Sequence, residues 1–316
     1  MKKEFTPIDL SGVKTYSIKG RKSKVSVEDL GAAAQGGKTF ADFLDGLPNI
    51  LAASDIREIA SKIASAHLSG NLVAMGMGAH VIKVGLGPMI IDFMERGIIN
   101  MVALNGAGIV HDFELAYTGK TSEDVAAEID GGTFGMAEET GRMLNEAING
   151  AAGKGIGIGR AVGDMINAEK LPHAGKSIIA AGARLGIPVT VHVAVGTDII
   201  HMHPYADGAA IGEGSHLDFR LFSGVVARLD GGVYLNVGSA VLLPEVFLKA
   251  LTVVRNLGHE VKNFTTVNMD FIQGYRPTQN VVRRPTQDGG KGYALTGHHE
   301  IMVPLLFSAV TEELGA

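Results

Sequence analysis

Apolar positions along the chain alternate between two rhythms, one helical and one typical of buried strands. Ser54 and Asp55 offer helix N-caps, and Ile56, Ile59, Ala60, Ile63 and Ala64 follow at helical spacing. The run Leu72-Val73-Ala74-Met75 then ends in glycines and reads as a strand. The next helix has Pro88 in its first turn and Gly97 after its end. Met101-Val102-Ala103-Leu104 predicts a second strand, leading into Asn105-Gly106-Ala107-Gly108. Thr121-Ser122-Glu123-Asp124 has capping-box spacing and predicts a helix start. Further helices are expected over 137–149, 177–185, 217–229, 244–256 and about 303–314. Strand-like segments cover 187–195, 233–237 and 263–267, the first of them rich in β-branched residues.

Strands alternating with helices of this length require crossover connections. The expected architecture is therefore α/β: a doubly wound, mostly parallel sheet with helices on both faces. Residues 1–38 read as an N-terminal arm, holding charges, Pro7 and the tract Gly31-Ala32-Ala33-Ala34-Gln35-Gly36-Gly37. No linker or composition break divides 39–316, which reads as one domain.

Composition removes several functional classes. The 316 residues carry a net charge of −5 with lysine and arginine scattered, so no basic stripe for nucleic acid is present. Without cysteine there are no disulfides, thiolate metal sites or thiol nucleophiles. No run of 18 apolar residues occurs, so the expectation is a soluble cytoplasmic protein that neither spans nor anchors in a membrane. The 43 glycines are about twice the usual share and fall at the ends of apolar segments, where backbone turns or lies against a ligand.

Two phosphate-loop look-alikes fail. Gly36-Gly37-Lys38-Thr39 and Gly175-Lys176-Ser177 lack the leading glycine, which falls on Ala32 and Lys170. The pairs Gly76/Gly78, Gly106/Gly108 and Gly157/Gly159 lack the third glycine of the dinucleotide fingerprint. What remains are polar clusters after strand-like runs, where open α/β sheets bind ligands. They are Gly76 to His80, Asn105 to Gly108, His111-Asp112, Gly196-Thr197-Asp198, Gly238-Ser239-Ala240, and Gly297-His298-His299-Glu300. His201 and His203 can orient a substrate or move a proton, and with Asp198 they offer an alternative metal-dependent hydrolase site. Glu138 and Glu139 read as a solvated helix face. Glu245, in the first turn of a helix after Gly238-Ser239, is placed either for function or for helix-dipole stabilisation.

These clusters, in this order, resemble the deoxyhypusine synthase family from about Leu72 onward. The strand Met101 to Leu104 with Asn105-Gly106-Ala107-Gly108 and His111-Asp112 is similar to the family's Thr-Ala-Gly-Gly strand end and acidic pair. Gly186-Ile187-Pro188-Val189 leading to Thr197-Asp198 is similar to its Ile-Pro-Val strand and Thr-Asp turn, and Glu300 to Leu306 to the segment before its last helix. A prokaryotic branch with His-Met-His-Pro and Gly-His-His-Glu motifs is more similar still, here His201 to Pro204 and Gly297 to Glu300.

The resemblance implies a Rossmann-like fold, bound NAD, and a homotetramer (a dimer of dimers) with active sites at dimer interfaces. It implies transfer of an aminobutyl group from spermidine through an enzyme lysine, with a polyamine as substrate. By position it puts Gly78, His80 and Lys83 in a first NAD loop and Asn105, Gly106 and Ala107 in a second, followed by His111 and Asp112. It places Thr197 and Asp198 at the nicotinamide, Thr265 and Thr266 after the last strand, and His298 and His299 over the cofactor. The chain departs from the family where its tryptophan-glycine-lysine segment should fall. Tryptophan is absent, and Val282-Arg283-Arg284-Pro285 has no lysine. Arginine cannot form an imine. Lys291, flanked by glycines, is then the candidate for a displaced nucleophile. The resulting expectation is an NAD-dependent enzyme acting on a small amine or related metabolite, with His201, His203, Glu245 and Lys291 as catalytic candidates. The non-catalytic alternative is a nucleotide-binding protein.

Overall fold

The computed structural model describes residues 4–33 and 35–315; residues 1–3 and 34 of the expected arm, and residue 316, lie outside them. Six strands form one sheet: β1 Val73–Met77, β2 Met101–Asn105, β3 Val189–His192, β4 Val233–Val237, β5 Thr265–Asp270 and β6 Lys291–Thr296. Their order is β3-β2-β1-β4-β5-β6 and every pairing is parallel. The chain winds outward from β1 to β3, then returns to the other side of β1. The switch point therefore lies between β1 and β4.

Thirteen α-helical segments surround the sheet among the described residues. They are α1 Phe40–Gly46, α2 Leu51–Leu68, α3 His80–Lys83, α4 Gly87–Glu95, α5 Gly106–Thr118, α6 Val125–Glu128, α7 Glu138–Ala151, α8 Ile158–Ala168, α9 Ile178–Leu185, α10 Gly208–Val226, α11 Leu242–Asn256, α12 Tyr275–Pro277 and α13 His299–Glu313. Strand side chains alternate between faces, and the two cores show it. Met75, Met77, Val102, Leu104, Leu235 and Val267 join the larger core, with α2, α4, α5 and α13. Ala74, Ala103 and Tyr234 join the smaller one, beneath Phe222 of α10 and Phe247 of α11. There the Phe247 ring stacks on Tyr234 with centroids 3.9 Å apart. On the larger face Phe93 and Phe307 stack at the same separation.

Glycine permits a close approach of helix to strand. A Cβ on Gly159 of α8 would fall 1.8 Å from the Val189 carbonyl, so this helix lies directly on β3. The junction is tied by Asp218 of α10, fully buried, which accepts from the amides of Gly159 at 3.0 Å and Val191 at 2.8 Å. Burial outweighs those bonds and raises the Asp218 pKa to about 7.

Several boundaries differ from the sequence expectation. The helix read over 217–229 begins at Gly208, because Asp207 caps the amides of Ala209 and Ala210. The strand read over 187–195 contracts to Val189–His192, and the helix expected from Thr121 is a single turn capped by Asp124. Helix α8 and strand β6 were not expected: α8 follows the glycine-rich stretch Gly153 to Gly157, and β6 buries only Tyr293 and Leu295. The arm holds two short 3-10 turns with no buried residue. Among the described residues no helix is long and apolar enough to cross a membrane.

Candidate active site

The carboxyl ends of β1 to β6 form a crest on which most of the sequence-selected residues gather. The one-turn helix α3 divides it. On one side, His80 at the start of α3 meets His299, with ring centroids 5.7 Å apart. On the other, Lys83 at its end borders a separate cavity.

The first half lies over the switch point. Gly78 and Gly238 touch backbone to backbone: a Cβ on Gly78 would fall 2.2 Å from the Gly238 carbonyl oxygen. A side chain on Gly238 would strike the His299 ring. His299 is fully buried, its Nε2 lies 3.3 Å from the Met269 carbonyl, and its Nδ1 has no partner. Burial lowers the His299 pKa, against the opposing pull of Asp270. Phe271 and His298, both largely exposed, present parallel rings 6.3 Å apart. The loops beneath are fixed by a buried amide ladder. Asn236 Nδ2 donates to Asn268 Oδ1 at 2.7 Å, Asn268 Nδ2 to Gln273 Oε1 at 2.7 Å, and Gln273 Nε2 to the Leu295 carbonyl at 3.0 Å. Sequence reasoning missed this ladder, since asparagines inside strands carry no local signal of pairing across the sheet.

The second half is a cavity of 260 Å³ at the ends of β2 and β3. Lys83, Ala107, His111, Glu114, Thr197 and Asp198 line it, with Glu123 from the loop before α6. Asp198 is buried against the start of α5, and a Cβ on Gly106 would overlap its carboxylate. Burial raises the Asp198 pKa, opposed by His201 and by the Ala107 amide. Its Oδ2 has no partner. Asn105 caps α5, accepting from the Gly108 amide at 2.9 Å.

His111 belongs to a chain of three groups. Thr121 Oγ1 lies 2.5 Å from Glu114 Oε2 and 2.7 Å from His111 Nδ1. An ionised carboxylate can only accept, so the threonine proton goes to Glu114 and the hydroxyl oxygen accepts from His111 Nδ1–H. That fixes the tautomer and leaves Nε2 with its lone pair. Burial lowers the His111 pKa, Glu114 opposes it, and Lys83 adds to the lowering. The arrangement is that of a histidine base with an orienting acid. Neither Glu114 nor Thr121 was selected from sequence; Thr121 had been read only as a helix cap.

The remaining candidates fall elsewhere. His203 Nε2 bonds the Gly135 carbonyl at 2.8 Å and its buried ring packs on Gly141, a structural setting. His201 Nδ1 accepts from the Gly196 amide at 3.1 Å. The trio of His201, His203 and Asp198 does not converge, and no group of three histidine or acidic side chains suited to a metal occurs among the described residues. Asp112 is buried away from the cavity, accepting from the Ile178 and Ile179 amides at 2.9 and 3.2 Å at the start of α9. Glu245 pairs with Lys249, with Arg276 at 3.3 Å and with Asn280 at 2.9 Å. Thr265 and Thr266 open β5, so they sit at the amino edge of the sheet. The strand begins at the β-branched threonines and runs to Asp270, three residues past the expected end. Lys291 opens β6 at that same edge, its ammonium 2.7 Å from both Glu58 oxygens. It lies at the opposite end of the sheet from the crest.

Solved structures share this architecture. A conserved LOR/SDH-type protein from Methanococcus maripaludis S2 matches with a TM-score of 0.51 at 16% identity, over 83% of this chain and 70% of its own. AgrE, in ternary complex with ornithine and NAD+, gives 0.51 at 14% identity, over 83% of this chain and 33% of its own, so this chain spans about a third of that protein. A protein from Entamoeba histolytica assigned as a deoxyhypusine synthase gives 0.51 at 12% identity, over 86% and 93%. No family model and no curated protein matches the chain. The fold is thus Rossmann-like and deoxyhypusine synthase-like.

Proposed function

We propose that this protein is an NAD-dependent enzyme acting on a small amine or a related metabolite, without a covalent lysine intermediate. The observation that carries the reading is the two-part crest, a shelf at the switch point beside a small cavity holding a base, an acid and an ammonium. A cavity of 260 Å³ is below the roughly 300–1,000 Å³ usual for drug-sized ligands, so it suits a metabolite and excludes a dinucleotide.

The shelf suits the cofactor. Exposed Phe271 and His298 offer flat faces for a base, above the buried His299. Gly78, His80, Gly238, His298 and His299 would hold NAD, with Asn105, Gly106, Ala107 and Thr197 on the side facing the cavity. Bound there, NAD supplies the hydride acceptor. The Gly108 and Ala107 amides of α5 are already engaged by Asn105 and Asp198, so the β1 and β4 loops would serve the phosphates. Aminobutyl transfer through Lys291 has no support, because that lysine is bonded to Glu58 at the far edge.

A homotetramer is part of the proposal. Phe5, Ile8, Leu10, Val13 and Tyr16 of the arm are all more than half exposed, apolar area that a neighbouring subunit can cover. Native mass spectrometry of the untreated protein tests both points. Four chains releasing NAD on denaturation are expected; a protein that neither carries nor takes up NAD removes the reading.

A further inference from the structure

The cavity beside the shelf has a charge pattern that selects its ligand. Asp198, more than nine-tenths buried, lines the cavity, and its Oδ2, packed against Gly106, has no hydrogen-bond partner. Glu123 has one oxygen bound to the Gly135 amide at 2.9 Å, and Glu114 is committed to Thr121, Thr140 and His111. Lys83 lies on the rim, exposed, and enters none of the hydrogen bonds or ion pairs that engage the other charges of the cavity. Asp198, the second oxygen of Glu123 and the free ammonium of Lys83 put both signs of charge on a single small cavity, which matches a zwitterion. A diamine would satisfy the acid but would be repelled by Lys83. A dicarboxylate would leave the Asp198 oxygen facing like charge.

Resting on the reading of the crest as a cofactor shelf, we propose that the cavity binds a small α-amino acid, its ammonium on Asp198 and its carboxylate on Lys83, with His111 as the catalytic base. Oxidation at carbon next to nitrogen needs the free amine, since an ammonium has no electron pair to share. His111 Nε2 takes one N–H proton, the bond's electrons stay on nitrogen, and the histidine becomes a cation. Glu114, through Thr121, stabilises that cation and holds the ring; both are positioning residues.

Calorimetry on the full chain, with and without NAD, tests the substrate class. L-Ornithine and L-lysine are titrated against 1,4-diaminobutane and 1,5-diaminopentane, which differ from them only by the carboxylate. At least one amino acid is expected to bind tenfold or more tighter than its diamine, and Lys83→Met, a change at an exposed residue, should erase that preference. Equal or tighter diamine binding, a preference that survives K83M, or no binding of either class would overturn the proposal. If the preference holds and NAD does not bind, the cofactor reading fails while this one stands. Nitrogen-15 histidine NMR tests the base independently of turnover. His111 should be protonated on Nδ1 alone at pH 8, and Thr121→Val should redistribute the proton. A wild-type His111 protonated on Nε2 would refute its role.

Discussion

Replacing Asp218 by asparagine is a direct test of how this fold handles buried charge. The carboxyl belongs to α10, is 1% exposed, and accepts amide bonds from Gly159 and Val191, both to Oδ2. Asparagine has nearly the same shape and keeps one oxygen for those two donors. With a folded pKa near 7 and an unfolded value of 3.8, the group favours the folded state fully below about pH 4. That contribution is lost as pH rises through 7. Between pH 5 and 8 the loss comes to about 2.5 kcal/mol at 1.36 kcal/mol per pH unit, an upper figure for a buried group. Other groups titrate in the same range. His192, buried with a pKa near 4, acts in the opposite direction, adding stability as pH rises toward 6.5. Asp112, raised to about 6, adds to the loss. The informative quantity is therefore the difference between the wild-type and Asp218→Asn curves. Urea unfolding at half-unit pH steps supplies it. The wild type should lose stability relative to D218N by about 2 kcal/mol across the window. Parallel curves would show that the amide bonds hold the carboxylate ionised throughout, and the account of burial outweighing them would be wrong.

Other outcomes follow from particular contacts. Gly159→Ala should lower the urea midpoint by the equivalent of about 1–3 kcal/mol, because the new methyl meets the Val189 carbonyl at 1.8 Å and neither backbone can yield cheaply; an unchanged midpoint would mean that α8 can lift off β3. Phe247→Ala should cost about 3–5 kcal/mol in the same assay through loss of the stack on Tyr234, with ligand affinity of the folded protein retained. Lys291→Ala should cost less than about 1 kcal/mol, since its pair with Glu58 is exposed. Borohydride treatment with amine present should leave Lys291 unlabelled, and a labelled Lys291 would contradict its placement. His203→Ala should destabilise by about 1–3 kcal/mol by orphaning the Gly135 carbonyl, without selective loss of ligand binding.

How much of this was legible in sequence depended on the range of the interactions involved. The sheet was readable because each strand has its own apolar run and each helix its own spacing, all local signals. β6 was not. As an edge strand it exposes Lys291, Ala294 and Thr296, so its burial pattern lacks an apolar run. Missing it had a cost for chemistry, because Lys291 looked like a glycine-flanked loop residue instead of the amino end of a strand. The expected strand over 263–267 erred in the same way, by three residues, and that carried Thr265 and Thr266 to the wrong edge. Along a parallel sheet, whether a residue begins or ends its strand decides whether it can reach the ligand.

The site itself was half legible for a related reason. His80, His111, Thr197, Asp198, His298 and His299 were selected from their positions after strands and Lys83 from the family resemblance, and they do gather on the crest. Their roles were not readable, because role depends on partners distant in sequence or hidden by a turn. His203 looked as eligible as His111, and only the packing on Gly141 and the bond to Gly135 commit it to structure. His111 gains its function from Thr121, brought back ten residues later by the turn at Gly119 to reach both His111 and Glu114.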